Sequence, residues 1–191
     1  DGLNVKILSN NNTIKIIMPS FFADSFVDIQ PSASVEIVFD KVIKFCGRIT
    51  AWGGENQKLT FGSGTEVTGW ISIALPEANA SITLGEDCLL AAGSCFWGGD
   101  AHTIVDINTQ KSINKVKQGI EIGNHVWIGE GCSILKNAYI PSNCIVGTKS
   151  VVTSKINQEY SVIAGNPAKV VKSGVSWDKR TPSLYYSEVE Q

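Results

Sequence analysis

An aliphatic residue recurs at every sixth position between Ile122 and Val152. The repeated residues are Ile122, Ile128, Ile134, Ile140, Val146 and Val152, and a compact residue stands two places before each of the last five: Val126, Cys132, Ala138, Cys144 and Ser150. A helical stripe needs apolar residues three and four positions apart, so this period does not suit a helix. A short strand followed by a sharp corner does suit it, and a fixed period over several units is typical of a solenoid.

The period also predicts which residues stack. Three sides of six residues close a triangular coil of 18 residues. Because side chains alternate along a strand, the aliphatic residue and the compact residue two places earlier both point inward. Residues of neighbouring coils then lie about 4.8 Å apart along the axis. We therefore expect Ile122 to stack on Ile140, Ile128 on Val146, and Ile134 on Val152.

The same period divides the chain into segments. It begins at Phe61, shifts by one residue at Pro76 and resumes at Ala78. We expect residues 61–155 to form the β-helix, with a loop at about 101–119 extruded where the period fails. Loops ejected from rigid scaffolds tend to carry function.

The two ends of the chain follow the period less well. Residues 1–60 are rich in strand patterns but irregular, and we interpret them as capping coils, since terminal repeats are atypical. A separate small domain is the alternative. Residues 156–191 contain a closing motif and a short C-terminal extension, and the tail from Ser173 either packs on a coil or stays free.

Composition excludes several classes of protein. A net charge of −2 and a pI near 5.7 give no overall attraction to nucleic acid. No apolar run reaches the roughly 20 residues that a membrane span needs, and no signal peptide is visible, so we expect a cytoplasmic protein. The five cysteines form no CxxC pair, which predicts neither a metal site nor a disulfide framework. Three of them, Cys88, Cys132 and Cys144, occupy compact inward positions.

The repeat and four segments within or beside it resemble the hexapeptide-repeat acyltransferases. The segments are GGDAHTIVD at 98–106, VWIG at 126–129, GTKSVVTSK at 147–155 and AGNPAKVVK at 164–172. The resemblance covers roughly Ile82 to Lys172 and implies an all-β fold, a left-handed parallel β-helix, although parallel crossovers in general favour the right hand. It also implies a homotrimer with acetyl-CoA bound between subunits.

The resemblance implies that His102 is the catalytic base. A histidine that titrates near neutral pH can take the proton of a sugar hydroxyl as this attacks the thioester of acetyl-CoA. Asp100, Asp106 or a backbone carbonyl are the candidates to orient its ring. The second histidine, His125, lies in a turn of a regular repeat, and we interpret it as a solvated surface residue.

The resemblance also assigns acetyl-CoA contacts to seven residues: Trp127, Glu130, Thr148, Thr153, Pro167, Lys169 and Lys172. Trp127 corresponds to a tryptophan beside the thioester and pantetheine, with Glu130 in the same groove. Thr148 and Thr153 correspond to the pantetheine and adenine end. Pro167 sets a turn, and the two lysines are suitable partners for the phosphates.

The acceptor site departs from simple sugar acetyltransferases, which often carry asparagines where this chain has residues 69–72. Its β-rich start looks more like bacterial polysaccharide O-acetyltransferases, including those that modify capsule or polysialic acid. Two tryptophans offer flat surfaces to sugar rings, and three loop lysines form a positive patch that favours an anionic glycan: Trp70, Trp97, Lys111, Lys115 and Lys117. The alternative is that these are packing and solvated residues.

The sequence therefore predicts an acetyl-CoA-dependent O-acetyltransferase that acts on a capsular or other surface polysaccharide. An antibiotic O-acetyltransferase and a non-catalytic solenoid remain alternatives. A zinc hydratase of the γ-carbonic anhydrase type is excluded because it needs three histidine ligands, and the chain has only two histidines.

Overall fold

Three sheets wind the chain into a three-sided coil. The structure is a computed structural model that describes residues 2–17, 20–31 and 33–189. Within these ranges it contains nineteen strands and one helix. Between Gly47 and Val152 the strands follow one another on a first, a second and a third face in that order, whereas the described strands before Gly47 lie on the first and second faces only. Every pair of neighbouring strands is parallel except the last.

The strands of the three faces are as follows. The first face contains β1 (Leu3–Ile7), β3 (Ser25–Ile29), β5 (Gly47–Ala51), β8 (Ile71–Leu75), β11 (Cys95–Trp97), β14 (Ser133–Leu135) and β17 (Val151–Val152). The second face contains β2 (Thr13–Ile17), β4 (Val35–Asp40), β6 (Gln57–Phe61), β9 (Ser81–Leu84), β12 (Ile120–Ile122) and β15 (Tyr139–Ile140). The third face contains β7 (Glu66–Val67), β10 (Leu89–Leu90), β13 (Trp127–Ile128), β16 (Ile145–Val146), β18 (Ser161–Gly165) and the antiparallel β19 (Ala168–Ser173).

The predicted stacking is confirmed. Ile122 pairs with Ile140, Ile128 with Val146, and Ile134 with Val152. All six aliphatic residues of the repeat are buried, and so are the compact residues between them. All five cysteines are free, and burial raises the pKa of the Cys88 thiol to about 11, as befits a core residue.

The predicted restart of the period at Ala78 is wrong. Residues 77–79 form a turn that leaves Ala78 exposed, and the next inward residue is the fully buried Ala80. From there Ile82 and Leu84 alternate inward along β9. This turn changes which positions of the repeat point inward. Apolar residues continue on both sides of it, so the sequence pattern does not reveal the change.

The described parts of residues 1–60 form longer turns of the same coil. Phe26 pairs with Arg48, 22 residues later, whereas Ser133 pairs with Val151, 18 residues later. The longer turns enclose larger side chains, including Phe39 stacked on Phe61 at 5.1 Å between ring centroids. A six-residue period is therefore absent from this segment, although its strands lie in the same sheets.

Two segments project from the coil. Residues 98–119 connect β11 to β12, and within them a backbone bridge between Val105 and Ser112 closes a small hairpin. After β19 the tail returns along the third face and ends in α1 (Pro182–Val189). No helix in the described ranges is long and apolar enough to cross a membrane.

Candidate active site

The loop that carries His102 leaves the coil at the edge between the first and second faces. His102 is exposed and lines an open pocket of about 440 Å³. Trp52, Pro76 and Glu77 contribute to this pocket from the corners of the preceding turns, and Lys115 closes it from the end of the loop. The pocket therefore combines a rigid wall with a loop that brings a base and a positive charge.

Asn114 joins the two ends of this loop. Its Nδ2 donates to Asp100 Oδ2 at 2.7 Å and to the His102 carbonyl at 2.8 Å, and its Oδ1 accepts from the Ile104 N–H at 2.8 Å. Lys136, from the corner between β14 and β15, donates to the Asp100 carboxylate and to the Asn114 carbonyl. The loop base is thus held to the coil by one lysine and one asparagine.

The carboxylate of Asp100 belongs to this loop base. Partial burial opposes its ionisation, but the hydrogen bonds from Lys136 and Asn114 outweigh that effect and lower the pKa of Asp100. Its backbone N–H also donates to Glu77 Oε1 at 2.9 Å. Asp100 is therefore connected to His102 through Asn114.

Asp106 lies at the hairpin turn of the loop. Its Oδ1 accepts from the Thr109 N–H at 2.8 Å, from the Thr109 hydroxyl at 2.9 Å and from the Asn108 N–H at 3.0 Å. The bonds from Thr109 lower the pKa of this carboxyl. This carboxylate therefore stabilises the hairpin turn.

The three loop lysines occupy different places. Lys115 lines the His102 pocket, whereas Lys111 lies at the exposed hairpin turn. Lys117 is exposed near the end of the loop, where its backbone N–H donates to Asn137 Oδ1 at 3.2 Å.

The two candidate acceptor tryptophans lie at opposite edges of the first face. Trp97 packs edge-on against Trp52, with 6.3 Å between ring centroids, and Trp52 lines the His102 pocket. Trp70 precedes β8 at the far edge and packs against Phe26 at 5.9 Å. The structure therefore brings Trp97 next to the pocket, and Trp70 lies one strand length away from it.

The third face presents one outward row that contains Trp127. The register runs from Leu89 to Trp127, Ile145, Val162 and Lys172 on successive strands. Trp127 is 39% exposed. At about 4.8 Å per strand, three strand spacings separate Trp127 from Lys172 by about 14 Å. An aromatic ring and an ammonium group therefore lie in one straight row on the third face.

The other candidate cofactor residues are all exposed: Glu130, Thr148, Thr153, Pro167 and Lys169. Glu130 follows β13, and Pro167 lies in the turn between β18 and β19, after a cis peptide bond. Thr148, Thr153, Pro167 and Lys169 belong to the last turns of the coil, near Lys172, and Glu130 lies one turn earlier, where its carbonyl accepts from the Lys149 N–H at 2.9 Å. No group of three or more His, Cys, Asp or Glu suited to a metal ion occurs in the described part of the chain.

The interpretation of His125 as a solvated residue is wrong. Its ring stacks on Trp177 at 4.3 Å between centroids, and its side chain is only 28% exposed. Nδ1 lies 2.7 Å from an Asp87 carboxylate oxygen, and Nε2 lies 3.0 Å from the Trp177 carbonyl. Since both partners are acceptors, the ring makes both bonds only when it is protonated. Lys179 also binds Asp87, so the tail is docked on the third face beside Trp127.

His102 and Trp127 lie on opposite sides of one chain. The loop leaves at the edge shared by the first and second faces, and the third face is opposite to that edge in a three-sided coil. One chain alone therefore does not bring the candidate base to the candidate cofactor residues of the third face.

Four residues near His102 were not found from the sequence: Trp52, Glu77, Asn114 and Lys136. None belongs to a motif, and each comes from a different turn or from the far end of the loop. Of these four residues, only Asn114 lies in the segment where the six-residue period fails, and this position was its only indication in the sequence.

The chain has relatives of known name in sequence and in structure, although it matches no established protein-family profile. It is 33% identical over 158 residues to a polysialic acid O-acetyltransferase of Escherichia coli O1:K1, which covers 78% of this chain and 50% of the relative. It is 38% identical over 130 residues to a polysialic acid O-acetyltransferase of Neisseria meningitidis, which covers 68% of this chain and 55% of the relative. The chain thus spans about half the length of these relatives.

Among solved structures, the polySia-specific acetyltransferase NeuO superposes with a TM-score of 0.73 at 21% identity, over 97% of this chain and 98% of that one. At this identity the similarity concerns the fold, and it confirms the left-handed parallel β-helix. The repeat, the three-sided coil and the relatives confirm the resemblance to the hexapeptide-repeat acyltransferases. More particularly, the chain is a relative of bacterial polysaccharide O-acetyltransferases.

Proposed function

We propose that this chain is an acetyl-CoA-dependent O-acetyltransferase that acts on a hydroxyl of a bacterial polysaccharide. The observation that carries the proposal is the pairing of two features. His102 lines an open pocket at one edge of the coil, and an outward row of side chains that includes Trp127 and Lys172 runs along the opposite face. The names of the sequence relatives support both the reaction and the class of acceptor.

The outward row on the third face suits coenzyme A. Trp127 offers an apolar surface to the pantetheine arm, and Lys169 and Lys172 are exposed cations for the phosphates. Thr148 and Thr153 supply exposed hydroxyls near the same end of the coil. Acetyl-CoA is a co-substrate here, and its supply in the cell supports a cytoplasmic reaction.

The proposed chemistry needs one general base. An imidazole nitrogen of His102 takes the proton of the acceptor hydroxyl as the oxygen attacks the thioester carbonyl. The same proton then neutralises the departing thiolate. Because His102 is exposed and lines an open pocket, a long glycan has access to it without entering a closed cavity.

The position of the two sites supports a homotrimer. Since His102 and Trp127 lie on opposite sides of one chain, a productive site combines the loop of one subunit with the third face of its neighbour. A cyclic trimer makes three equivalent sites of this kind. We expect a trimer in analytical ultracentrifugation at micromolar concentration, and a monomer that is fully active would contradict the shared site.

The acceptor that we favour is an anionic glycan such as polysialic acid. Lys115 lines the pocket, and Lys111 and Lys117 are exposed on the same loop. Trp97, next to the pocket through Trp52, offers a flat surface to a sugar ring. Trp70 belongs to a more distant part of the same acceptor surface.

The first experiment measures thiol release from acetyl-CoA with a panel of sialosides, neutral glycans and antibiotics. We expect His102→Ala to lower kcat by about 10² to 10⁴ and to leave acetyl-CoA binding unchanged. Turnover by His102→Ala at the wild-type rate would refute the mechanism. An antibiotic used better than every glycan would refute the acceptor class.

The second experiment tests electrostatic steering. Raising the salt from 0.1 M to 1 M shortens the Debye length from about 10 Å to about 3 Å. We expect kcat/KM for an anionic glycan to fall, and the change of Lys111, Lys115 and Lys117 to Gln to flatten this dependence.

The matched control changes Lys6, Lys15 and Lys41 to Gln. These exposed lysines lie in the first turns of the coil, so the net charge changes equally at a distance from the loop. An equal effect of both triple variants would count against steering by the loop.

A further inference from the structure

One asparagine side chain binds the backbone on both sides of His102. Asn114 donates to the His102 carbonyl at 2.8 Å and accepts from the Ile104 N–H at 2.8 Å. These two bonds restrain the backbone from residue 102 to residue 104, which includes the base of the His102 side chain. The imidazole is exposed, so packing contributes little to its direction.

The asparagine is itself anchored to the coil. Its Nδ2 also donates to Asp100 at 2.7 Å, and Lys136 donates to both Asp100 and the Asn114 carbonyl. The Lys136 side chain is only 15% exposed, and it comes from a corner of the following turn of the coil. Lys136, Asp100 and Asn114 therefore form a series of hydrogen bonds that connects the coil to the His102 backbone.

We propose that Asn114 is a positioning residue for His102, with Lys136 and Asp100 as its anchor. This inference rests on the proposed function, in which His102 is the general base. A general base acts only within hydrogen-bond reach of the proton that it removes. A displacement of about 1 Å can lower the rate about 10²-fold.

The test compares Asn114→Ala with Asn108→Ala, which removes an exposed asparagine side chain from the same loop and leaves the contacts to His102 in place. We expect Asn114→Ala to lower kcat by about 10- to 100-fold with an unchanged KM for acetyl-CoA. We expect Asn108→Ala to keep wild-type kcat. Wild-type kcat in Asn114→Ala would overturn the inference.

A double-mutant cycle separates positioning from a general structural role. If Asn114 acts through His102, Asn114→Ala has little further effect in the His102→Ala background. An equal loss in both backgrounds would overturn the inference. The single variant His102→Ala tests the proposed mechanism separately. Its full activity would refute that mechanism, whatever the effect of Asn114→Ala.

A spectroscopic measurement does not depend on activity. The chain has only two histidines, so the NMR signals of their rings can be assigned with His102→Ala. We expect Asn114→Ala to move the His102 ring signals toward those of an unrestrained histidine and to leave His125 unchanged. Unchanged His102 signals would overturn the inference.

Discussion

Removal of the Trp177 indole is expected to release the C-terminal tail from the third face. The indole stacks on His125 at 4.3 Å with only 9° between the ring planes, and its Nε1 donates to the His125 carbonyl at 2.9 Å. It also approaches Trp127 at 6.2 Å between centroids. Trp177→Ala removes these three contacts and leaves the backbone of the tail intact.

The contacts set the size of the effect. An aromatic pair contributes about 0.5–1.5 kcal/mol beyond its buried area, and a hydrogen bond contributes about 0.5–1.5 kcal/mol net. Together they stabilise the docked tail by about 1–3 kcal/mol, which changes the equilibrium for local opening about 5- to 150-fold. The bond from Val175 N–H to the Tyr160 carbonyl and the pair of Lys179 with Asp87 remain.

Hydrogen–deuterium exchange of the segment 174–180 measures this opening. We expect faster exchange in that segment by the factor given above, and unchanged exchange in the buried strands. Trp97→Ala is the control, since it removes an exposed tryptophan at another face. Unchanged exchange of the tail in Trp177→Ala, or equal acceleration in Trp97→Ala, would refute the docking described here.

Three further perturbations follow from the packing and the charges. Ile134→Ala removes a fully buried side chain from the inward stack and should lower the free energy of unfolding by about 2–5 kcal/mol in urea denaturation. Gly85→Ala would place a Cβ 2.7 Å from the backbone of Gly123 in the next turn and should cost about 1–3 kcal/mol, whereas Gly98→Ala, whose nearest atoms lie at 3.4 Å, should cost less than Gly85→Ala. Partial burial favours the protonated form of Asp87, but the hydrogen bonds from Lys179 and from the stacked His125 have the larger, opposite effect. The pKa of this carboxyl is therefore lower than its ordinary value of 3.8. The contribution of Asp87 to tail docking is therefore complete above its ordinary pKa and is lost as the pH falls through the lowered one; the exchange of the tail should increase at that acidic pH in the wild type, and Asp87→Asn should remove this dependence.

The regular turns were predictable because their information is local. Six-residue spacing places an inward side chain on each face, so the spacing alone assigned the correct stacking partners to Ile122, Ile128 and Ile134. The first turns were less predictable, because a turn of 22 residues carries no six-residue period. Ala78 was assigned wrongly for a related reason, since one short turn shifted the inward phase.

The candidate site was likewise predictable only in part. His102 and Trp127 stand in recognisable segments, and their roles remain predictions to be tested. The partners of His102 and His125 were out of reach of sequence reasoning, since Asn114 and Lys136 lie in unpatterned positions and Trp177 is 52 residues beyond His125. A hydrogen bond between such residues has no spacing that a single sequence can reveal.

The sequence by itself determined the three-sided coil and the inward stack, because a repeated short pattern specifies which side chains are buried. Only the tertiary structure decided that the tail docks beside Trp127, that Asp100 serves the loop base, and that His102 and Trp127 face opposite ways. These outcomes depend on contacts between distant turns of the coil. Such contacts depend on the number of residues in each turn and on the positions at which polar side chains of different turns meet. A local sequence pattern specifies neither of these.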